Sequence, residues 1–103
     1  MRTLAKLPAT MKDAYWEVVH DCLVEFGGFS SVDAMRVATA RRAAVEFAPP
    51  RLRSDIFYHQ EPFDVAANLA ESVRNPSAGA FPTLDDPQTN AAYATILRRH
   101  GLA

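Results

Sequence analysis

Helix-breaking residues divide this chain into four segments, and this division constrains its fold more than any other feature. Two glycines follow each other at Gly27-Gly28, two prolines at Pro49-Pro50, and a loop with two further prolines spans 75–82. Proline cannot continue a helix, and glycine readily adopts the left-handed conformation that ends one. Between these breakers, apolar residues recur every three or four positions, which is the period of an α-helix. The sequence therefore predicts an all-α protein.

Capping residues predict where the helices begin. Thr10 and Ser30 are each followed three residues later by an aspartate, the pattern of a capping box, and Asp86-Pro87 is typical of a helix start. Residues 54–59 fit a short strand or a helical turn, and the turn is favoured because no second strand is predicted. We therefore expect one helical domain, 1–103, a small bundle with main helices at about 11–26, 31–47, 62–74 and 87–100 and an extra helical turn at 54–59.

Composition excludes several classes of protein. The net charge of −1 gives no general attraction to nucleic acid, and the single cysteine, Cys22, cannot form an internal disulfide. No stretch approaches the ~20 apolar residues of a membrane span, and the N-terminal residues do not resemble a signal peptide. We expect a cytoplasmic protein without membrane contact. Nine arginines against two lysines, with abundant alanine, are typical of a GC-rich bacterial source.

The first helix has two contrasting sides. Four carboxylates, here called the acidic strip, recur every four residues on one side: Asp13, Glu17, Asp21 and Glu25. Like charges at this spacing repel by roughly 0.2–0.5 kcal/mol per pair, so local helix stability does not account for the strip. It is either a solvated face or a surface that meets cations of a partner. The opposite side is predicted to face the core: Met11, Tyr15, Val18, Val19, Cys22, Leu23 and Phe26.

The second helix is apolar nearly all round, which indicates contacts on two sides. Arg41 lies at the centre of one apolar side, where it either extends its head into water or pairs with a carboxylate. Arg36 and Arg42 lie on the same helix. Four short helices of this composition carry more apolar surface than one small bundle can bury, so a homodimer is expected.

A metal site is a weaker hypothesis. Glu17-x-x-His20 has the spacing with which helical bundles present two ligands from one turn, but such sites need the motif twice and facing inward. Here the motif occurs once, and Glu17 is predicted to face solvent. Glu17 and His20 therefore remain weak metal candidates, and the sequence predicts no catalytic residues and no cofactor site.

The function that these features favour is non-catalytic: a protein-interaction or regulatory protein of the adaptor, regulator or immunity type, whose partner has a basic surface. The residues predicted to bind this partner are Asp13, Glu17, Asp21, Glu25, Arg36, Arg41 and Arg42. An alternative is a nucleic-acid-binding protein similar to a helix-turn-helix protein, using the basic stretch Arg36–Arg53. The acidic first helix disfavours it, because that helix would cross the phosphate backbone.

Overall fold

Four α-helices make up the part of the chain that the computed structural model describes, which is residues 9–47, 57–73 and 80–102. They are α1 (Ala9–Gly27), α2 (Ser31–Glu46), α3 (Pro62–Val73) and α4 (Pro87–Arg99). The described ranges contain no strand. The predicted all-α fold is confirmed, and no helix end differs from its predicted position by more than two residues.

The extra helical turn predicted at 54–59 is only partly described. Phe57 begins a turn in which its carbonyl accepts a hydrogen bond from the backbone N–H of Gln60 at 3.0 Å. Residues 54–56 lie outside the described ranges, as do the breakers Pro49-Pro50 and the greater part of the loop at 75–82.

Two of the three predicted helix starts are confirmed. The hydroxyl of Ser30 accepts a hydrogen bond from the backbone N–H of Asp33 at 3.1 Å, and the Asp86 carboxylate accepts one from that of Thr89 at 2.9 Å. The cap predicted at Thr10 is wrong, because α1 begins one residue earlier, at Ala9. Alanine is the best helix former, so the helix extends past the threonine instead of starting there.

A glycine in the left-handed conformation lies just beyond the end of α1 and of α4. Gly28 and Gly101 have φ values of 72° and 75°, the left-handed conformation that other residues rarely adopt. The next residue then folds back: Phe29 N–H donates to the Leu23 carbonyl at 3.1 Å, and Leu102 N–H donates to that of Leu97 at 2.8 Å. The bond at the end of α4 is that of a Schellman motif, whereas the bond at the end of α1 spans one residue more. Both chain reversals follow from the left-handed glycine.

The core is built around α1, which packs against α2, α3 and α4. Because neighbours cover α1 on several sides, its buried arc is wider than a single face and includes Trp16, which the predicted core omitted. Met11 is predicted to be buried but is exposed. Val73, at the end of α3, is exposed as well. The buried apolar residues are Tyr15, Trp16, Val18, Val19, Cys22, Leu23, Phe29, Ala34, Ala38, Val45, Tyr58, Phe63, Val65, Ala66, Leu69, Tyr93 and Ile96.

A buried tyrosine joins α3 to α4. The Tyr93 hydroxyl accepts a hydrogen bond from the backbone N–H of Phe63 at 3.3 Å and donates one to the Glu61 carboxylate at 2.7 Å. Phe63 lies in the first turn of α3, where backbone N–H groups have no partner within the helix. Tyr93 thus satisfies a group that would otherwise be buried without a partner. Within the described ranges, no helix is long and apolar enough to cross a membrane.

Candidate functional site

The acidic strip of α1 is not one uniform face. The side chain of Glu17 is 62% exposed, whereas that of Asp21, one turn later, is only 20% exposed. Asp13 and Glu25 are exposed. The strip is therefore not a uniformly solvated face, because the end of α4 covers the carboxylate of Asp21.

Asp21 accepts hydrogen bonds from three basic side chains. Its Oδ2 lies 2.7 Å from His100 Nε2 and 3.1 Å from Arg99 Nη1, and its Oδ1 lies 3.0 Å from His20 Nδ1. Burial alone would raise the pKa of Asp21, but hydrogen bonds from His100, His20 and Arg99 outweigh it and lower the pKa below its usual value. Asp21 is thus the charged link between the middle of α1 and the C-terminal end of α4.

His100 connects two rungs of the acidic strip. Its Nδ1 lies 3.1 Å from the Glu17 carboxylate, while its Nε2 faces Asp21. A neutral imidazole can donate from only one ring nitrogen, whereas a protonated one donates from both. His100 therefore bridges Glu17 and Asp21 through its two ring nitrogens.

Ser31, His20 and Asp21 form a hydrogen-bonded chain that resembles the order of a hydrolytic triad. His20 Nε2 lies 3.1 Å from Ser31 Oγ, but it also lies 3.2 Å from the Ser31 carbonyl oxygen. The Asp21 carboxylate only accepts, so Nδ1 is the donor toward it, and Nε2 of a neutral ring then accepts from the Ser31 hydroxyl. The chain is a structural link between α1 and the start of α2.

The same contacts bear on the weak metal candidates. Both ring nitrogens of His20 face oxygen atoms of this chain, and Glu17 faces His100 instead of His20. Across 9–47, 57–73 and 80–102, no three His, Cys, Asp or Glu side chains are grouped so that they could hold a metal ion. The Glu-x-x-His spacing thus places two side chains one turn apart without turning them toward a common point.

The arginines of α2 have different surroundings. Arg42 Nη2 lies 2.8 Å from Asp13 Oδ1, a contact that joins α2 to the first rung of the acidic strip. Arg36 lies 3.2 Å from Asp33, one turn earlier on the same helix. Arg41 is half-buried, and no carboxylate within the described part of the chain lies within 4.0 Å of it. Of the predicted basic stretch, Arg51 and Arg53 lie outside the described residues.

A groove of about 430 Å³ runs between α1 and α2, beside the acidic strip. Its floor is apolar, formed by the indole of Trp16 and by Ala38. Residues of α1 line one side of it and residues of α2 the other, and Glu17, Met35 and Thr39 are among them. The residues that line it are Asp13, Trp16, Glu17, His20, Ser31, Met35, Ala38, Thr39 and Arg42.

Aromatic side chains hold the floor of this groove in place. Trp16 Nε1 donates to the Tyr58 hydroxyl at 3.0 Å, and that hydroxyl donates to Glu46 at 2.6 Å. Burial, and then the hydrogen bond to Glu46, raise the pKa of Tyr58 to about 12. The Trp16 ring stacks on Phe57 with ring centroids 5.5 Å apart. The helical periodicity of α1 alone could not show that Trp16 is buried, because the residues that cover it come from a distant segment.

No protein-family model matches the chain, and no significantly similar curated protein or solved structure was found.

Proposed function

We propose that this protein is a non-catalytic, cytoplasmic protein-interaction or regulatory module whose partner places a cationic side chain in the groove between α1 and α2. The observation that carries the proposal is the exposed carboxylate of Glu17 beside an apolar floor. Lysine and arginine combine an aliphatic stem with a charged head, so they can cover apolar surface while the head reaches a carboxylate.

Two of the four carboxylates in the acidic strip already have strong partners within the chain. Asp13 pairs with Arg42, and Asp21 accepts from three side chains. Among the described residues, the one side chain within 4.0 Å that can pair with the Glu17 carboxylate is the ring of His100. Most of the Glu17 side chain remains exposed. We therefore assign the partner's cation to Glu17, with Asp13 and Arg42 forming the adjacent wall.

The nucleic-acid alternative gains no support from this geometry. Arg42 and Arg36 are each paired with a carboxylate of this chain, and the acidic strip lies beside the groove. A polyanion in the groove would therefore lie beside the carboxylates of Glu17 and Asp13.

The test is affinity capture from the native host with three forms of the protein: the wild type, Glu17→Lys and Glu71→Lys. Glu71 is exposed on α3, away from the groove, so its variant carries the same charge change as a control. We expect a partner that the wild type and Glu71→Lys retain and that Glu17→Lys loses. Retention by all three forms, or no specific retention, would contradict the proposal.

The captured partner then allows a direct measurement in the groove. Trp16 is the only tryptophan of the chain and forms the groove floor. Titration with the purified partner should therefore change the Trp16 emission of the wild type and of Glu71→Lys. A partner that binds without changing this emission would bind elsewhere.

A further inference from the structure

The outer side of α2 exposes large apolar side chains. Val32 and Phe47 are 66% and 85% exposed, although α2 packs against α1 through Ala34, Ala38 and Val45 on its inner side. Exposed apolar residues that are contiguous on one helix mark an interaction surface, whereas scattered ones do not. This side of α2 differs from the groove, which lies between α2 and α1.

Five positions form a continuous stripe along this side. At 100° per residue, they fall within one arc of about 80° on the helix. Small side chains occupy its middle and larger apolar side chains its two ends. The stripe consists of Val32, Arg36, Ala40, Ala43 and Phe47.

The stripe matches itself when it is reversed. If a second copy of α2 runs antiparallel across it, Val32 of one copy faces Phe47 of the other, and Arg36 faces Ala43. Ala40 lies next to the two-fold axis, where its small side chain lets the helix axes approach to about 8 Å. An interface between identical surfaces must have this self-matching property.

Charge favours the same arrangement. Arg36 is the only charged residue of the stripe, and in the antiparallel pair it lies one turn from Glu46 of the other copy. The Glu46 side chain is 34% exposed and its carboxylate meets the Tyr58 hydroxyl and, at 3.9 Å, Lys12 Nζ. Its exposed part can accept a further hydrogen bond. No like charges face each other, because the two Arg36 side chains are about 10 Å apart along the axis.

We infer that this outer side of α2 is a homodimer interface, formed by antiparallel pairing with a second copy of the chain. A helix of 16 residues is about 24 Å long, so the paired stripes bury less than the ~800 Å² per partner of a standard interface. The dimer is therefore reversible and depends on concentration. This inference does not rest on the proposed basic partner, because the two surfaces use different residues.

Sedimentation equilibrium tests the dimer. The wild type should show a mass that rises with concentration from that of the 11.4-kDa chain toward twice this value. Ala40→Glu should remain a monomer over the same range, since it places two like charges next to the two-fold axis. Val73→Glu changes an exposed apolar residue of α3 and should associate like the wild type. A wild type that stays monomeric, or an Ala40→Glu variant that associates equally, would overturn the inference.

Disulfide trapping tests the antiparallel direction. Ala40→Cys should form a covalent dimer upon mild oxidation, because the two copies of this position meet at the axis. Val32→Cys should not, since the antiparallel pair separates the two Val32 positions by about 22 Å. The native Cys22 is fully buried and leaves both experiments undisturbed. Trapping at Val32 as efficiently as at Ala40 would instead indicate a parallel pair and would overturn the arrangement.

Discussion

At the scale of single residues, Asp21 has the most concentrated set of polar contacts. One carboxylate accepts from His20 on its own helix and from Arg99 and His100 at the end of α4. Hydrogen bonds to a charged group contribute roughly 1.5–3 kcal/mol each, and more is lost when a partner remains without one. Asp21 belongs to the acidic strip, which is predicted to bind a partner, but its contacts give it a structural role because they join α1 to α4.

Asp21→Asn should lower the free energy of unfolding by about 1–3 kcal/mol, because the amide carries no charge and can accept at only one of its two positions. Glu25→Gln is the matched control: it removes a charge from the same helix at an exposed position and should change stability by less than about 0.5 kcal/mol. Urea unfolding followed by circular dichroism measures both. Equal changes in the free energy of unfolding for the two variants would show that the contacts of Asp21 do not stabilise the fold.

At the scale of elements, α1 ends where glycine allows it to end. Gly28 has a positive φ, and the reversal that follows brings Phe29 back against the end of α1, where it is buried. The short link to α2, and with it the position of the groove wall, depends on this one conformation.

Gly28→Ala should lower the free energy of unfolding by roughly 1–2 kcal/mol, because an L side chain is strained at this φ. Gly28→Asn should cost less, since asparagine tolerates the left-handed conformation. Thermal unfolding of the two variants and of the wild type gives the order of their stabilities directly. If alanine were tolerated as well as asparagine, the turn would have to adopt a different conformation from the one described.

The elements also show what sequence could and could not predict. Local patterns were sufficient for the helices, because caps at Ser30 and Asp86 and stops at Gly28 and Gly101 act within a few residues. They were insufficient for Trp16 and Asp21, whose partners lie about 42 and 79 residues away at Tyr58 and His100. Periodicity shows which side of a helix is apolar, but not which distant side chain will cover a polar one.

At the scale of the whole molecule, acid should loosen the packing of α4 on α1. The pKa of Asp21 is lowered in the folded protein, so its contribution to stability is complete above the pKa of the unfolded chain, about 3.9, and is lost as pH falls through the lower folded value. Protonation of Asp21 removes the charge that attracts Arg99 and both histidines.

The stability of the wild type and of Asp21→Asn should therefore converge as pH falls from about 5 to about 2. The backbone N–H of Thr89 lowers the pKa of Asp86 as well, but this effect is present in both proteins and cancels in the difference. Urea unfolding at a series of pH values measures the two curves. A difference that stays constant down to the lowest pH would contradict the role given to the Asp21 charge.

The buried cysteine makes the integrity of the whole bundle measurable. Cys22 is fully enclosed beneath the helices that cover α1, and burial raises the pKa of its thiol to about 12. Only an exposed thiolate reacts with a thiol reagent, so modification must wait until α1 separates from its neighbours. The rate of this modification in native buffer then reports how often the core opens, without any denaturant and without an introduced label.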